Sequence, residues 1–195
     1  MDDDEIILCP LPALLAFSLL EQIECNLVER CEKQQSILKR LQKEKSLFLE
    51  RSTMSALSAL LRTDQVYQRL YYPDPGYNDG RRTELDGLCV FDTNFILVEC
   101  KSGSYRPRAK IGNIPKLQTD LRKTIEDAFE QAKRAREYIR NADNPVFYLS
   151  ADRNDNSVAI KLDKSRIKNI YLVSSTLSNF AGITTSLNFH GEQFT

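Results

Sequence analysis

Residues 84–101 read ELDGLCVFDTNFILVECK, and their pattern predicts the centre of a β-sheet. Together with Thr83, this stretch forms two runs rich in apolar and β-branched residues, 83–91 and 95–101, on either side of the turn-forming sequence Asp92-Thr93-Asn94. This pattern predicts two antiparallel strands joined in a β-hairpin. Since apolar residues occupy both odd and even positions, both faces of the hairpin are expected to be buried.

The register of the hairpin brings three charged side chains to one face. Pairing Asp86 with Glu99 centres the turn between residues 92 and 93, where the turn-forming residues lie. Side chains two residues apart point to the same side of a strand, so Lys101 shares the face of Glu99. The sequence therefore predicts that two acids and one amine converge at the end of the hairpin.

Two carboxylates at the end of a buried hairpin need a counter-charge. Burying one unpaired carboxylate is unfavourable, and two adjacent carboxylates also repel each other. A divalent cation resolves both problems, and Mg²⁺ prefers carboxylate oxygens as protein ligands. A bound cation can polarise a phosphodiester and activate a water, while Lys101 can position that water or stabilise charge on phosphorus. These residues predict a metal-dependent phosphodiesterase site, whereas the alternative is an ordinary ion pair to Lys101.

The spacing of Asp86 and Glu99-Cys100-Lys101 resembles the motif of the PD-(D/E)XK, or restriction-endonuclease-like, nuclease superfamily. The resemblance implies an α/β fold with a mixed β-sheet flanked by helices. It also implies that Asp86, Glu99 and the backbone carbonyl of Cys100 bind Mg²⁺, with Mn²⁺ as a substitute, and that Lys101 is catalytic. Leu85 stands where the family's name-giving proline would be.

Within the superfamily, residues 48–150 most resemble nuclease-related (NERD-type) and Mrr-like domains. These domains follow a similar hairpin with a helix that contains a Gln-Ala-Lys/Arg run, which here begins at Gln131. The resemblance implies a catalytic role for Gln131. Many members also place a metal-binding Glu on the helix before the first strand, for which Glu50 is the best match and Glu44 the second. Glu84 is either an outer acid of the site or a plain strand-end residue.

Basic residues are concentrated just after the motif, and a nuclease needs cations near its metal to hold phosphates. The expected nucleic-acid-binding set is Arg106, Arg108, Lys110, Lys116, Arg122 and Lys123. Tyr77 and Tyr105 are candidates for stacking on bases. The alternative for this set is a solubilising loop and helix face.

The remaining sequence predicts helices around the sheet. A helix or helical hairpin is expected over 20–62, further strands at 65–72, 146–149 and 167–174, a turn at 152–156 and a helix over 117–140. The predicted organisation is a helical N-terminal extension at 1–47, a nuclease-like domain at 48–180 and a tail at 181–195.

Composition excludes several other classes of protein. The apolar run 6–20 is interrupted by Pro10 and Pro12 and is too short to cross a bilayer, so no membrane segment is expected. The five cysteines lack close pairing and are expected to be reduced in a cytoplasmic protein. The single histidine, His190, lies in the tail, and there is no glycine-rich phosphate loop. Histidine-based catalysis and P-loop nucleotide hydrolysis are therefore not expected.

The sequence leaves two functions to compare. The first is a magnesium-dependent nuclease acting on phosphodiester bonds, with DNA as the expected substrate. The second is a nuclease-fold module that binds nucleic acid or a protein partner without cutting. In the second case the helix over 20–62 is the expected interaction surface, toward another protein or a second copy of the chain.

Overall fold

The computed structural model describes residues 35–77, 80–103 and 114–177, together with residues 22, 23, 26 and 30. Contacts divide the chain into two compact units between Glu44 and Lys45, and all six strands belong to the second unit. The predicted tail at 181–195 lies outside the described residues. Within these ranges, no helix combines the length and apolar character needed to cross a bilayer.

The described chain contains three α-helices, six strands and two short helical turns. In chain order these are α1 (Gln35–Leu61), β1 (Val66–Pro73), β2 (Arg82–Phe91), β3 (Asn94–Lys101), α2 (Ile114–Leu121), a π-helical turn (Arg122–Glu126), α3 (Asp127–Asn141), β4 (Val146–Tyr148), β5 (Val158–Lys161), a 3₁₀ turn (Lys164–Arg166) and β6 (Asn169–Thr176).

The six strands form one open mixed sheet in the order β5-β4-β1-β2-β3-β6. Neighbouring strands are antiparallel except for β3 and β6, which run parallel. In the hairpin, Leu88 pairs with Leu97 and Val90 pairs with Phe95, so the predicted register is confirmed. The α2–α3 segment separates β3 from β6 in sequence, as a parallel connection requires.

Each face of the central strands is covered by a different helix. Leu88 and Leu97 lie in a core cluster with Ala135 of α3, whereas Cys89 and Val98 pack against Met54 of α1. This explains why both faces of the hairpin are apolar in the sequence. Each fully buried Leu or Val of these layers contributes roughly 1.5–3 kcal/mol. The protein is therefore an α/β structure with a sheet between helices.

Gly87 allows α1 to approach the sheet closely. A Cβ atom built on Gly87 would overlap the sulfur of Met54, and Met54 is itself only 1% exposed. Gly87→Ala is therefore expected to destabilise the protein by about 1–3 kcal/mol through overpacking. Urea unfolding of Gly87→Ala, Met54→Ala and the double variant measures the coupling. Additive effects, within about 0.5 kcal/mol, would contradict this account because contacting residues should couple.

Two features of the fold differ from the sequence prediction, and the described residues cover a third prediction only in part. Strand β5 was not predicted, because its four residues lie at the sheet edge and none of them is fully buried. The helix predicted over 117–140 begins at Ile114 and is interrupted by the π-helical turn. Helix α1 covers the second half of the predicted helical stretch 20–62, and most of the first half lies outside the described residues.

Candidate active site

The hairpin opens into a fork at Asp86. Backbone pairing between β2 and β3 runs from Phe91–Asn94 to Gly87–Val98 and ends there. Beyond this last pair, the Cys100 N–H donates a hydrogen bond of 2.6 Å to Oδ2 of Asp86. A side-chain carboxylate thus accepts an N–H that a continued ladder would direct to a backbone carbonyl. The two strands separate at the point where the predicted site begins.

Asp86 and Glu99 lie side by side at this fork. Their carboxyl groups are within hydrogen-bonding reach of each other, and Glu99 is only 3% exposed. Burial, reinforced by the charge of Asp86, raises the pKa of Glu99 to about 9. Burial also raises the pKa of Asp86, although the Cys100 N–H opposes that rise. Burial and the mutual repulsion of the two carboxylates therefore favour a protonated form of the pair.

One oxygen of this pair is suited to a cation ligand. Oε1 of Glu99 is buried and has no hydrogen-bond donor in the part of the chain that the structure describes. A buried acceptor without a donor is costly, and a divalent cation satisfies a carboxylate oxygen in the same position. Asp86, Glu99 and the carbonyl of Cys100 are all hard oxygen donors, so the residues fit Mg²⁺.

Lys101 lies beside the acids and is held by α3. Its Nζ is 4.0 Å from Oε2 of Glu99, and its side chain is 24% exposed. The same ammonium donates a hydrogen bond to Oε1 of Gln131, which α3 places over this face of the sheet. Gln131, predicted from the resemblance, is thus in direct contact with the predicted catalytic amine. Its geometric role is to orient Lys101.

Glu50 approaches the site from α1, on the other side of the sheet. Burial raises its pKa, and the nearby charge of Asp86 raises it further. Within the described ranges, no three His, Cys, Asp or Glu residues are grouped closely enough to hold a metal ion. Glu50 is therefore an electrostatic neighbour of the Asp86–Glu99 pair in this geometry. The second match, Glu44, is an exposed helix residue.

Glu84 is engaged at the edge of the site. Its Oε1 lies 3.1 Å from Nε of Arg69 in a partly exposed ion pair.

Cys100 directs its thiol toward Thr53 of α1, and burial raises the pKa of that thiol to about 12. Cys89 and Cys100 are both free thiols, as predicted for these two cysteines.

The structure does not describe the side chains of most of the predicted nucleic-acid-binding residues. Arg106, Arg108 and Lys110, together with Tyr105 and His190, lie outside the described residues. Lys116 belongs to α2, but its side chain is not described. Arg122 forms an exposed ion pair of 3.2 Å with Glu126, and Lys123 is exposed.

Tyr77 is on the surface near the start of β2. Its side chain is 49% exposed, and the guanidinium of Arg81 lies 4.3 Å from the centre of its ring. This cation–π contact leaves much of the ring accessible. The predicted stacking of Tyr77 on a base stays a prediction.

A polar cluster that the sequence did not reveal lies next to Glu99. Buried Asp74, at the end of β1, is 3.7 Å from Nη1 of Arg134 on α3. The positive charge of Arg134 favours ionisation of both Tyr72 and Glu99, and burial still raises the pKa of each. The sequence indicated only a turn at Asp74, and it placed Arg134 in the Gln-Ala-Lys/Arg run without a role of its own. The cluster places a second cation near the candidate site.

Comparison with known proteins adds no relative for this chain. No protein-family model matches the sequence, and neither a curated protein nor a solved structure does.

Proposed function

We propose that this protein is a magnesium-dependent nuclease of the restriction-endonuclease-like type, with DNA as its expected substrate. One observation carries the proposal: Asp86 and Glu99 meet at a fork in the sheet, and a buried oxygen of Glu99 has no donor among the described residues. Lys101 and Gln131 complete the arrangement from the same face. The contacts of Asp86 with Cys100 and of Lys101 with Gln131 support the motif resemblance, and the sequence alone could not predict them.

The architecture supports this choice of fold. The resemblance implies a mixed sheet flanked by helices, and the described chain has a six-stranded mixed sheet with α1 and α3 on opposite faces. The helix before the first strand carries Glu50, and the helix after the motif carries Gln131. Glu50 is close enough to Asp86 for their charges to interact, and Gln131 contacts Lys101.

In the proposed reaction, each residue has a separate task. Asp86, Glu99 and the Cys100 carbonyl would hold Mg²⁺, which supplies charge neutralisation and a more acidic water when bound. Gln131 fixes the ammonium of Lys101, which donates a hydrogen bond to the attacking water or to a non-bridging phosphate oxygen. The Cys100 N–H fixes Asp86 in place. Arg134 and Lys123 contribute positive charge on the α3 side for the polyanionic substrate.

The ion-pair alternative fits these contacts less well. Lys101 is at the 4.0 Å limit of an ion pair with Glu99 and makes its closer contact with neutral Gln131. A pair meant for stability would ionise both partners, whereas burial and Asp86 hold the proton on Glu99. A buried acid that stays protonated beside a lysine gains little stability from the lysine. Such a perturbed acid is typical of a functional site, and here it fits a metal ligand.

The deciding experiment incubates the purified protein with linear duplex, circular duplex and single-stranded DNA in the presence of Mg²⁺. We expect cleavage of at least one substrate, lost with EDTA, and a melting temperature that rises with Mg²⁺ because the ion binds the native state. Cleavage of circular duplex would identify an endonuclease. No cleavage and no thermal response to Mg²⁺ or Mn²⁺ would reject the proposal and favour the non-cutting binding module.

A further inference from the structure

Arg69 has an unusual backbone conformation for its place in the sheet. Three non-glycine residues of the described chain have a positive φ: Arg62 at 51°, Arg69 at 54° and Asp92 at 55°. Arg62 follows the end of α1 and Asp92 lies in the hairpin turn, where a left-handed residue is ordinary. Arg69 lies within β1. A left-handed residue inside a strand is unfavourable and needs an explanation.

The unusual residue lies directly opposite Asp86. Strand β1 pairs with β2 at Gln68–Gly87 and again at Leu70–Leu85, but the intervening Arg69 and Asp86 do not pair. The register is the same on both sides of this gap, so no residue is inserted and the gap is not a β-bulge. The irregularity is confined to the residue that faces the candidate metal ligand.

Asp86 is therefore excluded from the backbone ladders on both of its sides. Toward β3 the pairing ends at Gly87–Val98, and toward β1 it skips Asp86. A strand residue held by neither neighbour can tilt its peptide planes away from the regular pleat. At this point in the sheet, Oδ2 of Asp86 accepts a hydrogen bond of 2.6 Å from the Cys100 N–H.

We propose that the left-handed backbone of Arg69 is a positioning device that releases Asp86 from β1, so that its carboxylate can turn toward Cys100 and complete the site with Glu99. The inference rests on the proposed function for its purpose, but its structural part concerns Asp86 alone. The Arg69 side chain is not the essential element, because it is 53% exposed and points to Glu84. Arg69 is a positioning residue that acts through Asp86.

The test compares substitutions that differ in their tolerance of a left-handed backbone. Gly and Asn accept this conformation, whereas a β-branched residue resists it. Arg69→Gly and Arg69→Asn are expected to retain the thermal response to Mg²⁺ and a kcat/KM within about threefold of the wild type. Arg69→Val is expected to lose most of the Mg²⁺ response and at least about tenfold in kcat/KM, as misplacement of a catalytic group does. Every substitution removes the ion pair to Glu84, so Glu84→Gln is the matched control that measures the loss of this pair with the backbone of residue 69 unchanged.

Crystal structures of the metal-free variants give a readout that does not depend on activity. In Arg69→Val we expect an extended residue 69, a restored pair with Asp86 and loss of the bond from the Cys100 N–H. Should Arg69→Val fail to fold, Arg69→Ala is the milder variant, with an effect between those of Gly and Val. An unchanged Asp86 in the Val or Ala variant, or equal damage from Gly and Val, overturns the inference. If the wild type neither binds Mg²⁺ nor cleaves DNA, the proposed function fails, and these structures still decide what Arg69 does.

Discussion

Lys101→Ala is expected to lower the rate of Mg²⁺-dependent DNA cleavage by about 10²–10³ while leaving the protein folded. Its ammonium is held by Gln131 and lies 4.0 Å from Glu99, so it is the cation placed to assist a water or a phosphate oxygen. Its side chain is 24% exposed, and truncating it leaves no large cavity. Initial rates on linear duplex DNA and the melting temperature measure the two effects separately.

A control separates this local effect from a general loss of positive charge. Lys161 is also on a strand, but it is exposed on β5, at the opposite side of the sheet from β3. Lys161→Ala removes the same charge and should cleave at a rate close to that of the wild type. Asp86→Ala should lose activity as Lys101→Ala does, and Gln131→Ala should lose less because Lys101 remains. Cleavage by Lys101→Ala at the wild-type rate would refute the assignment of the catalytic amine.

The hairpin and its charged face could be predicted because they depend on local rules. Alternation along a strand has a period of two, and the turn residues at 92–94 fix the register. Once Asp86 is aligned with Glu99, the position of Lys101 follows from the pleat. These rules need only 18 consecutive residues of sequence, 84–101.

The fork at Asp86 could not be predicted in the same way. A regular hairpin would continue its ladder past Gly87, and no local signal in the sequence indicates that it stops. The segment around Arg69 is rich in aromatic and polar strand formers and contains no Gly or Asn, so it predicts an ordinary strand. Its left-handed backbone results from tertiary contacts. The contact between Asp74 and Arg134 is likewise long-range, since 60 positions separate the two residues.

The contact between Lys101 and Gln131 of α3 shows how a resemblance can add to local rules, because the resemblance had singled out Gln131. The sequence placed Gln131 on a helix after the motif, but helix periodicity alone does not say which strand residue that helix side chain meets. The structure brings Gln131 of α3 into contact with Lys101 of β3. This contact joins residues 30 positions apart and depends on how α3 packs on the sheet.

Glu99→Gln is expected to make the protein without Mg²⁺ more stable at pH 8, and to abolish its thermal response to Mg²⁺. The pKa of Glu99 is raised from an ordinary value of 4.5 to about 9, chiefly by burial. Between these values the folded state binds more protons than the unfolded state, so stability falls as pH rises through this window. Glutamine has nearly the same shape, carries no charge at any pH and therefore removes this loss. Each kcal/mol regained raises the melting temperature by about 2–4 °C.

The pH dependence separates this prediction from a simple packing effect. The stability gained by Glu99→Gln should be small near pH 5, which is close to the ordinary pKa of a glutamate, and should grow toward pH 8, because the wild type loses stability as pH rises. In the wild type, metal binding must expel the proton from Glu99, so the apparent affinity for Mg²⁺ should rise by up to about tenfold per pH unit below pH 9. Glu137→Gln, at an exposed position of α3, is the matched control and should reproduce the wild-type response to Mg²⁺. A stability gain that does not change between pH 5 and pH 8, or a Glu99→Gln protein that is still stabilised by Mg²⁺, would show that Glu99 is not the proton-linked ligand.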